Sequence, residues 1–137
     1  MKKNKISKNW INKQRRDIYV RRSKVEGYRS RAVYKLQQID QKFRIFKNGM
    51  SVIDIGAAPG SWSQYVLKNV KNGKIVSIDF KDFEKIGNIH QIKGDFTDDR
   101  YKKEIVDYFG VKVDVVLSDL AVNTTGNKNL DSSYTGE

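Results

Sequence analysis

A short run of small residues lies between a predicted strand and a predicted helix. Residues 54–60 read Asp-Ile-Gly-Ala-Ala-Pro-Gly. Small side chains let a ligand approach the backbone, and the N-terminus of the following helix favours an anionic group. The spacing differs from the G-x-G-x-x-G pattern of dinucleotide sites, because Ala58 replaces the second glycine and Pro59 has no amide to bind a pyrophosphate. The loop is typical of a nucleotide-type site, and the carboxylate of S-adenosylmethionine (AdoMet) suits it better than a pyrophosphate does.

Acidic residues follow the next two predicted strands, where a nucleotide cofactor needs hydrogen-bond acceptors. Asp79 ends a strand roughly 20 residues after Gly56, where a carboxylate accepts ribose hydroxyls in dinucleotide and AdoMet folds alike. Asp95 follows the third strand, where it could accept the adenine amino group while Phe96 lines the ring. Taken singly, these acids could be ordinary turn or cap residues. Their order along successive strand ends favours a nucleotide-like cofactor.

Strand and helix patterns alternate along the chain and predict the elements that hold these residues. The predicted strands are residues 50–55, 74–79, 89–93 and 113–117. The predicted helices are residues 29–43, which Ser30 could cap, 60–70, and 98–109 with Thr97 as its cap. This order predicts an α/β fold with a doubly wound, mainly parallel sheet that places ligands at the carboxyl ends of the strands.

The composition is that of one globular domain. Of the 137 residues, 38% are apolar and 31% are charged. No apolar run reaches the roughly 18 residues of a membrane span, and the N-terminus lacks the apolar stretch of a secretion signal, so we expect a cytoplasmic protein. The chain has no cysteine, which excludes disulfides and thiol catalysis. We expect no metal site, and the single histidine, His90, is interpreted as a strand or turn residue.

Positive charge is concentrated in the first third of the chain. Residues 1–49 contain 16 Lys or Arg and three acids, a net charge of +13, whereas residues 50–137 carry −2. Such segregation indicates a polyanionic partner. Trp10, Tyr19, Tyr28 and Tyr34 could stack on unpaired RNA bases. We interpret residues 1–28 as a basic RNA-binding arm and residues 29–137 as one domain; the alternative is a solvated arm that only keeps the protein in solution.

The chain resembles the FtsJ-type 2′-O-ribose methyltransferases of the large-subunit 23S ribosomal RNA. The resemblance lies in Gly-Tyr-Arg-Ser-Arg-Ala-Val-Tyr-Lys-Leu at 27–36, Gly-Ala-Ala-Pro-Gly-Ser-Trp-Ser-Gln at 56–64, Gly-Asp-Phe-Thr at 94–97 and Leu-Ser-Asp at 117–119. It implies a Rossmann-like AdoMet-dependent methyltransferase fold that acts on a uridine of 23S rRNA in the large ribosomal subunit. It also implies that AdoMet contacts Gly60, Trp62, Asp79, Asp95 and Asp119.

The resemblance further implies two catalytic residues. The family uses a Lys-Asp-Lys-Glu set, and Lys35 and Asp119 match its first two members. A lysine accepts a proton from a ribose hydroxyl only if burial or nearby cations lower its pKa. Because Lys35 lies beside an apolar helix stripe, we expect it to be partly buried.

The second Lys and the Glu of the family set have no match before the chain ends at Glu137. Lys128 and Glu137 are poor substitutes, since no strand positions them. We therefore expect a shortened or split member of the family, with a fold incomplete at its C-terminal side and the fourth strand as an open edge. Such a chain would be monomeric once the missing half is supplied.

Three functions stay open from the sequence. The first is an AdoMet-dependent rRNA 2′-O-methyltransferase. The second is a noncatalytic remnant that binds RNA and AdoMet. The third, an NAD-linked oxidoreductase, depends on the doubly wound pattern alone and disagrees with the spacing of the glycine loop.

Overall fold

The computed structural model describes residues 2–110 and 112–119, with side chains of the first helix from Ser7 onward. In chain order the elements are α1 (Lys2–Glu26), α2 (Val33–Phe43), β1 (Ser51–Ile55), α3 (Ser61–Asn69), β2 (Lys74–Asp79), β3 (His90–Lys93), α4 (Asp99–Phe109) and β4 (Val115–Ser118).

The four strands form one parallel sheet in the order β3-β2-β1-β4. Strand β1 is central: Val52 pairs with Ile75 of β2 on one side and with Val115 of β4 on the other. The chain reverses its direction of travel across the sheet between β3 and β4, so the described strands form the predicted doubly wound α/β fold. The carboxyl ends of β1, β2 and β4 meet at one edge, which we call the carboxyl edge of the sheet.

Alternate residues of the strands bury opposite faces of the sheet. Val52 and Ile75 pack with α2 and α3 in one apolar cluster, whereas Ile53 and Val76 pack with α4 in the other. A strand that is buried on both faces is mostly apolar. This explains why β1 and β2 consist mainly of Val and Ile, with a few small or acidic residues. The two clusters together hold the carboxyl edge in place.

Helix α1 differs from the sequence prediction. Residues 1–28 were expected to be irregular apart from a short helix near 10–16, but α1 extends from Lys2 to Glu26. Its sequence has no apolar stripe for periodicity to detect, and its Lys, Arg and Gln residues are good helix formers. The last turns hold it to the domain: Ser23 is buried, and the Tyr28 amide donates to the Ser23 carbonyl at 2.8 Å.

The tyrosines of the basic segment pack against one another instead of standing free for RNA bases. Tyr34 is 3% exposed, and its ring centroid lies 5.3 Å from that of Tyr19 and 6.4 Å from that of Tyr28. The expectation that Tyr34 could stack on RNA is therefore wrong. Trp10 is 61% exposed, whereas Tyr19 and Tyr28 are half-buried.

The structure corrects both predicted helix caps. Helix α2 begins only at Val33, and the Ser30 hydroxyl lies 2.8 Å from the Ser61 hydroxyl, so it joins α3 instead of capping α2. Helix α4 is capped by Asp98, whose side chain accepts from the Arg100 amide at 2.9 Å, while Thr97 donates to Asp95. In both places the side chain that was predicted to cap the helix forms a hydrogen bond with another side chain instead.

Candidate cofactor and catalytic site

The loop after β1 directs its backbone amides inward, toward β2. The amides of Gly56 and Ala57 donate to the Ile78 carbonyl at 2.8 and 3.2 Å, and the Ala58 amide donates to Asp79 Oδ2 at 2.9 Å. The next residue is a proline and has no amide. These three donors are therefore already used inside the protein and are not available to an anionic group, whether pyrophosphate or carboxylate.

Asp79 lies at the end of β2 and joins the loop to the segment that follows the strand. It is 8% exposed; Oδ1 accepts from the Lys81 amide at 2.8 Å, and Oδ2 accepts from the Ala58 amide. Each carboxylate oxygen has a further lone pair. The carboxylate is therefore fixed in place and can still accept a pair of hydroxyls.

Gly60 is the cap of α3 and leaves no room for a side chain. Its φ is +115°, in the region that favours glycine. A Cβ at this position would lie 2.5 Å from Ile86 Cδ1 and 3.1 Å from Arg29 Nη1. The close approach of these two side chains to the Gly60 backbone explains why the sequence has glycine here.

Trp62 is a core residue as well as a neighbour of the loop. It is 6% exposed, and its Nε1 donates to the Ala32 carbonyl at 2.8 Å. It also lines a small cavity of about 60 Å³ together with Asp54, Ser61 and Asp119. The indole N–H is satisfied inside the protein, so only the ring surface of Trp62 is available for contact with a ligand.

Lys35 and Asp119 are brought together from distant parts of the chain. Lys35 Nζ lies 3.3 Å from Asp119 Oδ1, which joins α2 to the end of β4 at the carboxyl edge. The Lys35 side chain is 66% exposed, so the expected partial burial is wrong. Val33, Tyr34 and Leu36 supply the face of α2 that packs, and Lys35 lies outside that face. So exposed an ion pair adds at most about 1 kcal/mol to stability.

Asp95 follows β3 and forms a local turn. Its Oδ1 accepts from the Thr97 amide at 2.9 Å and from the Thr97 hydroxyl at 2.8 Å. These bonds hold the pKa of the Asp95 carboxyl below its usual value. Phe96 packs against the apolar cluster on the α4 side. Asp95 is exposed at the carboxyl edge and remains ionised there.

A buried carboxyl group, Asp54, lies below this edge. It is 1% exposed, and the Ser63 hydroxyl donates to its Oδ2 at 2.6 Å. Burial raises its pKa to about 7; the Ser63 bond opposes this shift, and the charges of Asp119 and Asp79 add to it. Three carboxyl groups thus converge at the ends of β1, β2 and β4.

Arg29 is a residue of this site that sequence reasoning missed. Its guanidinium donates to the carbonyl oxygens of Pro59, Glu84 and Lys85 at 2.9, 2.6 and 2.9 Å. It lines an open cleft of about 570 Å³ beside Ala58. In the sequence it was one of many basic residues, and nothing in its spacing distinguished it from those around it.

Within residues 2–110 and 112–119, no group of acidic or histidine side chains could hold a metal ion, and no helix has the length and apolar character to cross a membrane. His90 begins β3, and its Nε2 lies 2.7 Å from Glu104 Oε2.

A doubly wound parallel sheet, with a small-residue loop after β1 and an acid at the end of β2, is typical of the Rossmann-like proteins. A family model described as FtsJ-like methyltransferase matches residues 28–135, and the chain belongs to this family. This membership favours a methyltransferase over the NAD-linked oxidoreductase. FtsJ-like methyltransferases in general depend on AdoMet.

Curated relatives carry one functional name. A protein of Pelagibacter ubique is 66% identical over all of this chain and 68% of its own length, and one of Legionella pneumophila (strain Corby) is 41% identical over 96% of this chain and 65% of its own. Both are named ribosomal RNA large subunit methyltransferase E. The chain spans about two thirds of the length of these relatives.

A solved structure shares the fold. A ribosomal RNA methyltransferase from Plasmodium falciparum superposes with a TM-score of 0.64 and is 40% identical, covering 80% of this chain and 65% of that one. Fold and family thus agree with the resemblance stated from the sequence.

Proposed function

We propose that this chain takes part in AdoMet-dependent 2′-O-methylation of a uridine ribose in the 23S rRNA of the large ribosomal subunit. The observation that carries the proposal is the Lys35–Asp119 contact at the carboxyl edge, beside a loop whose amides point inward. The names of the curated relatives support the choice of ribosomal RNA as substrate.

The residues at the carboxyl edge fit AdoMet. AdoMet, when bound, supplies a methyl group activated by a positively charged sulfonium. In this proposal Asp79 accepts hydrogen bonds from the ribose hydroxyls, and Asp95 accepts one from the adenine amino group. Gly60 lets Ile86 and Arg29 pack against the loop backbone, and Trp62 supplies a wall of the small cavity. In this proposal the carboxylates of Asp79 and Asp119 disfavour the phosphates of NAD at this edge.

The basic arm supplies RNA affinity in this proposal. Helix α1 carries Lys and Arg around its circumference, and Trp10 is accessible for stacking. Each phosphate that a basic residue neutralises releases counterions. In this proposal the arm binds the RNA, and α2, which follows the arm in the chain, connects it to the carboxyl edge.

Lys35 and Asp119 act on the acceptor ribose. Asp119 holds the Lys35 ammonium in one place, and the exposed ammonium can contact the 2′-oxygen or a neighbouring phosphate. Correct placement of the acceptor accounts for a large share of the rate in a methyl transfer. Lys128 and Glu137, the other residues considered for the catalytic set, lie outside the described residues.

The test is methyl transfer to ribose. The purified chain is incubated with methyl-labelled AdoMet and large ribosomal subunits that lack the modification. We expect label in ribose 2′-oxygen, lost in Lys35→Ala and Asp119→Ala but kept in Lys42→Ala, a matched exposed lysine on the same helix. Binding of AdoMet without transfer would reject the catalytic role and favour the noncatalytic remnant.

A further inference from the structure

Arg29 connects three segments that are separate in the sequence. Its Nη1 donates to the carbonyl oxygens of Pro59 and Glu84, and its Nη2 donates to that of Lys85. Pro59 belongs to the loop after β1, while Glu84 and Lys85 lie between β2 and β3. One guanidinium therefore fixes the two loops that flank the carboxyl edge on this side.

The backbone around Arg29 is fixed to the same region. The Arg29 amide donates to Gln64 Oε1 at 2.8 Å, and Gln64 Nε2 donates to the Gly27 carbonyl at 3.1 Å. The adjacent Ser30 hydroxyl meets the Ser61 hydroxyl at 2.8 Å. The segment between α1 and α2 is therefore bonded to the first turns of α3 as well as to the loop before it.

These bonds leave Arg29 with two of its five guanidinium N–H groups for any other contact. A guanidinium has five N–H groups in a rigid fork, and three hydrogen bonds to main-chain carbonyls already orient that fork toward the protein. Its Nη1 lies against the Gly60 backbone, where an added Cβ would be 3.1 Å away. The three bonds use both Nη1 N–H groups and one Nη2 N–H, so a phosphate could bind only through the remaining Nε and Nη2 N–H groups, in the orientation that the carbonyls fix.

We propose that Arg29 is a positioning residue for the cofactor loop and does not contact RNA, although it lies in the most basic part of the chain. It sets the place of Pro59 and Gly60 relative to the loop after β2, and so determines how well AdoMet fits. This inference rests on the proposed function, because it assigns Arg29 to the AdoMet side of that function.

Arg29→Lys separates the two roles, since lysine keeps the charge but cannot reach three carbonyls at once. We expect Arg29→Lys to weaken AdoMet binding roughly tenfold, as for the loss of one or two net hydrogen bonds. Calorimetric titration well below the melting temperature measures this on folded protein, so that a general loss of stability would not by itself change the affinity. Arg31→Lys, an exposed neighbour, is expected to bind AdoMet within about twofold of the unaltered chain.

Arg29→Gln tests the RNA side. A phosphate contact would contribute about 0.7 to the slope of log affinity against log salt for single-stranded poly(U). We expect the slope for Arg29→Gln to equal that of the unaltered chain.

Three results would overturn the inference. One is unchanged AdoMet affinity in Arg29→Lys, and another is an equal loss in Arg31→Lys. The third is a poly(U) slope that falls by about 0.7 in Arg29→Gln. In each case AdoMet binding by the unaltered chain leaves the proposed function standing. Failure of the unaltered chain to bind AdoMet rejects the proposed function itself, and this inference with it.

Discussion

At the scale of single residues, the Asp54 carboxyl is almost completely shielded from water. It lies in β1 and faces α3. The Ser63 hydroxyl of α3 donates to it and also contacts the Ser77 hydroxyl of β2. All three side chains are at most 1% exposed. A buried carboxyl group with hydrogen-bond partners lowers the stability of the fold little while it is neutral and more once it ionises.

Replacement of Asp54 by Asn should flatten the pH dependence of stability. The folded chain keeps a proton on Asp54 up to about pH 7, whereas the unfolded chain releases it near the ordinary pKa of 3.8. Folding therefore binds a proton in this window, and the unfolding free energy falls as pH rises through it. We expect Asp54→Asn to remove about 1–3 kcal/mol of this fall. Urea unfolding across the window measures it.

The control for Asp54→Asn is Asp114→Asn, which changes a carboxyl just before β4 whose pKa is lowered by a hydrogen bond from the Ser51 amide. Its removal should not reduce the fall of stability between these pH values. If Asp54→Asn and the unaltered chain lose the same stability as the pH rises, the buried proton on Asp54 is contradicted.

The sequence predicted which candidate residues lie near one another better than it predicted their environments. The pairing of Lys35 with Asp119 follows from the resemblance and from the rule that strand ends share an edge, and the structure brings the two together. The exposure of Lys35 could not be read from its neighbours in sequence, because the packed face of α2 is set by the angle at which it meets β1 and α3. The role of Arg29 depends on loops that lie 30 to 56 residues away.

At the scale of elements, α1 is the segment whose structure and charge belong together. Beyond its last turns its described side chains are mostly exposed. It is joined to α2 by the Tyr34 hydroxyl, which donates to Glu26, and by the Arg22 guanidinium, 4.6 Å from the centre of the Tyr34 ring. Because Tyr34 precedes Lys35, these contacts fix the basic helix relative to the proposed catalytic residue.

Removal of two charges from α1 should weaken RNA binding without affecting the cofactor. Arg15 and Arg16 are exposed, and their joint replacement by Gln should lower the salt slope for poly(U) by roughly 1–1.5, at about 0.7 for each phosphate contact. Fluorescence anisotropy at several salt concentrations measures the slope. AdoMet affinity should not change.

The matched control for this prediction lies on α4, at the opposite face of the sheet. Lys102 and Lys103 are exposed there, and Gln at both positions makes the same change in net charge. An equal loss of slope in the α4 variant would mean that RNA responds to the total charge of +11 and not to α1.

At the scale of the whole molecule, the sheet and its two apolar clusters create the edge where all the candidate residues meet. Strand β1 is central, so its loop touches β2 through Ile78 and Asp79 and lies beside the end of β4. The same arrangement uses the loop amides internally. Strand pairing, and not the glycine count of the loop, thus decides that these amides bond inside the protein.

AdoMet should stabilise the folded chain, and NAD should not. A ligand that binds only the folded chain raises stability by about 2.7 kcal/mol at 100 times its dissociation constant. We expect AdoMet and S-adenosylhomocysteine to raise the thermal unfolding midpoint in a concentration-dependent way, and NAD to leave it unchanged. Differential scanning fluorimetry gives the comparison. A rise with NAD equal to that with AdoMet would contradict the assignment of the loop.

The sequence alone determined the strand order in the chain, the class of fold, the small-residue loop and the family, because apolar periodicity, turn residues and motifs are local properties. It misjudged α1, whose helix has no apolar stripe, and the caps of α2 and α4, where nearby acceptors compete. Only the tertiary structure decided which amides of the loop are free, that Tyr34 is core, that Lys35 is exposed and that Arg29 spans two loops. These properties depend on contacts between residues that are far apart in the sequence, and local sequence patterns do not show such contacts.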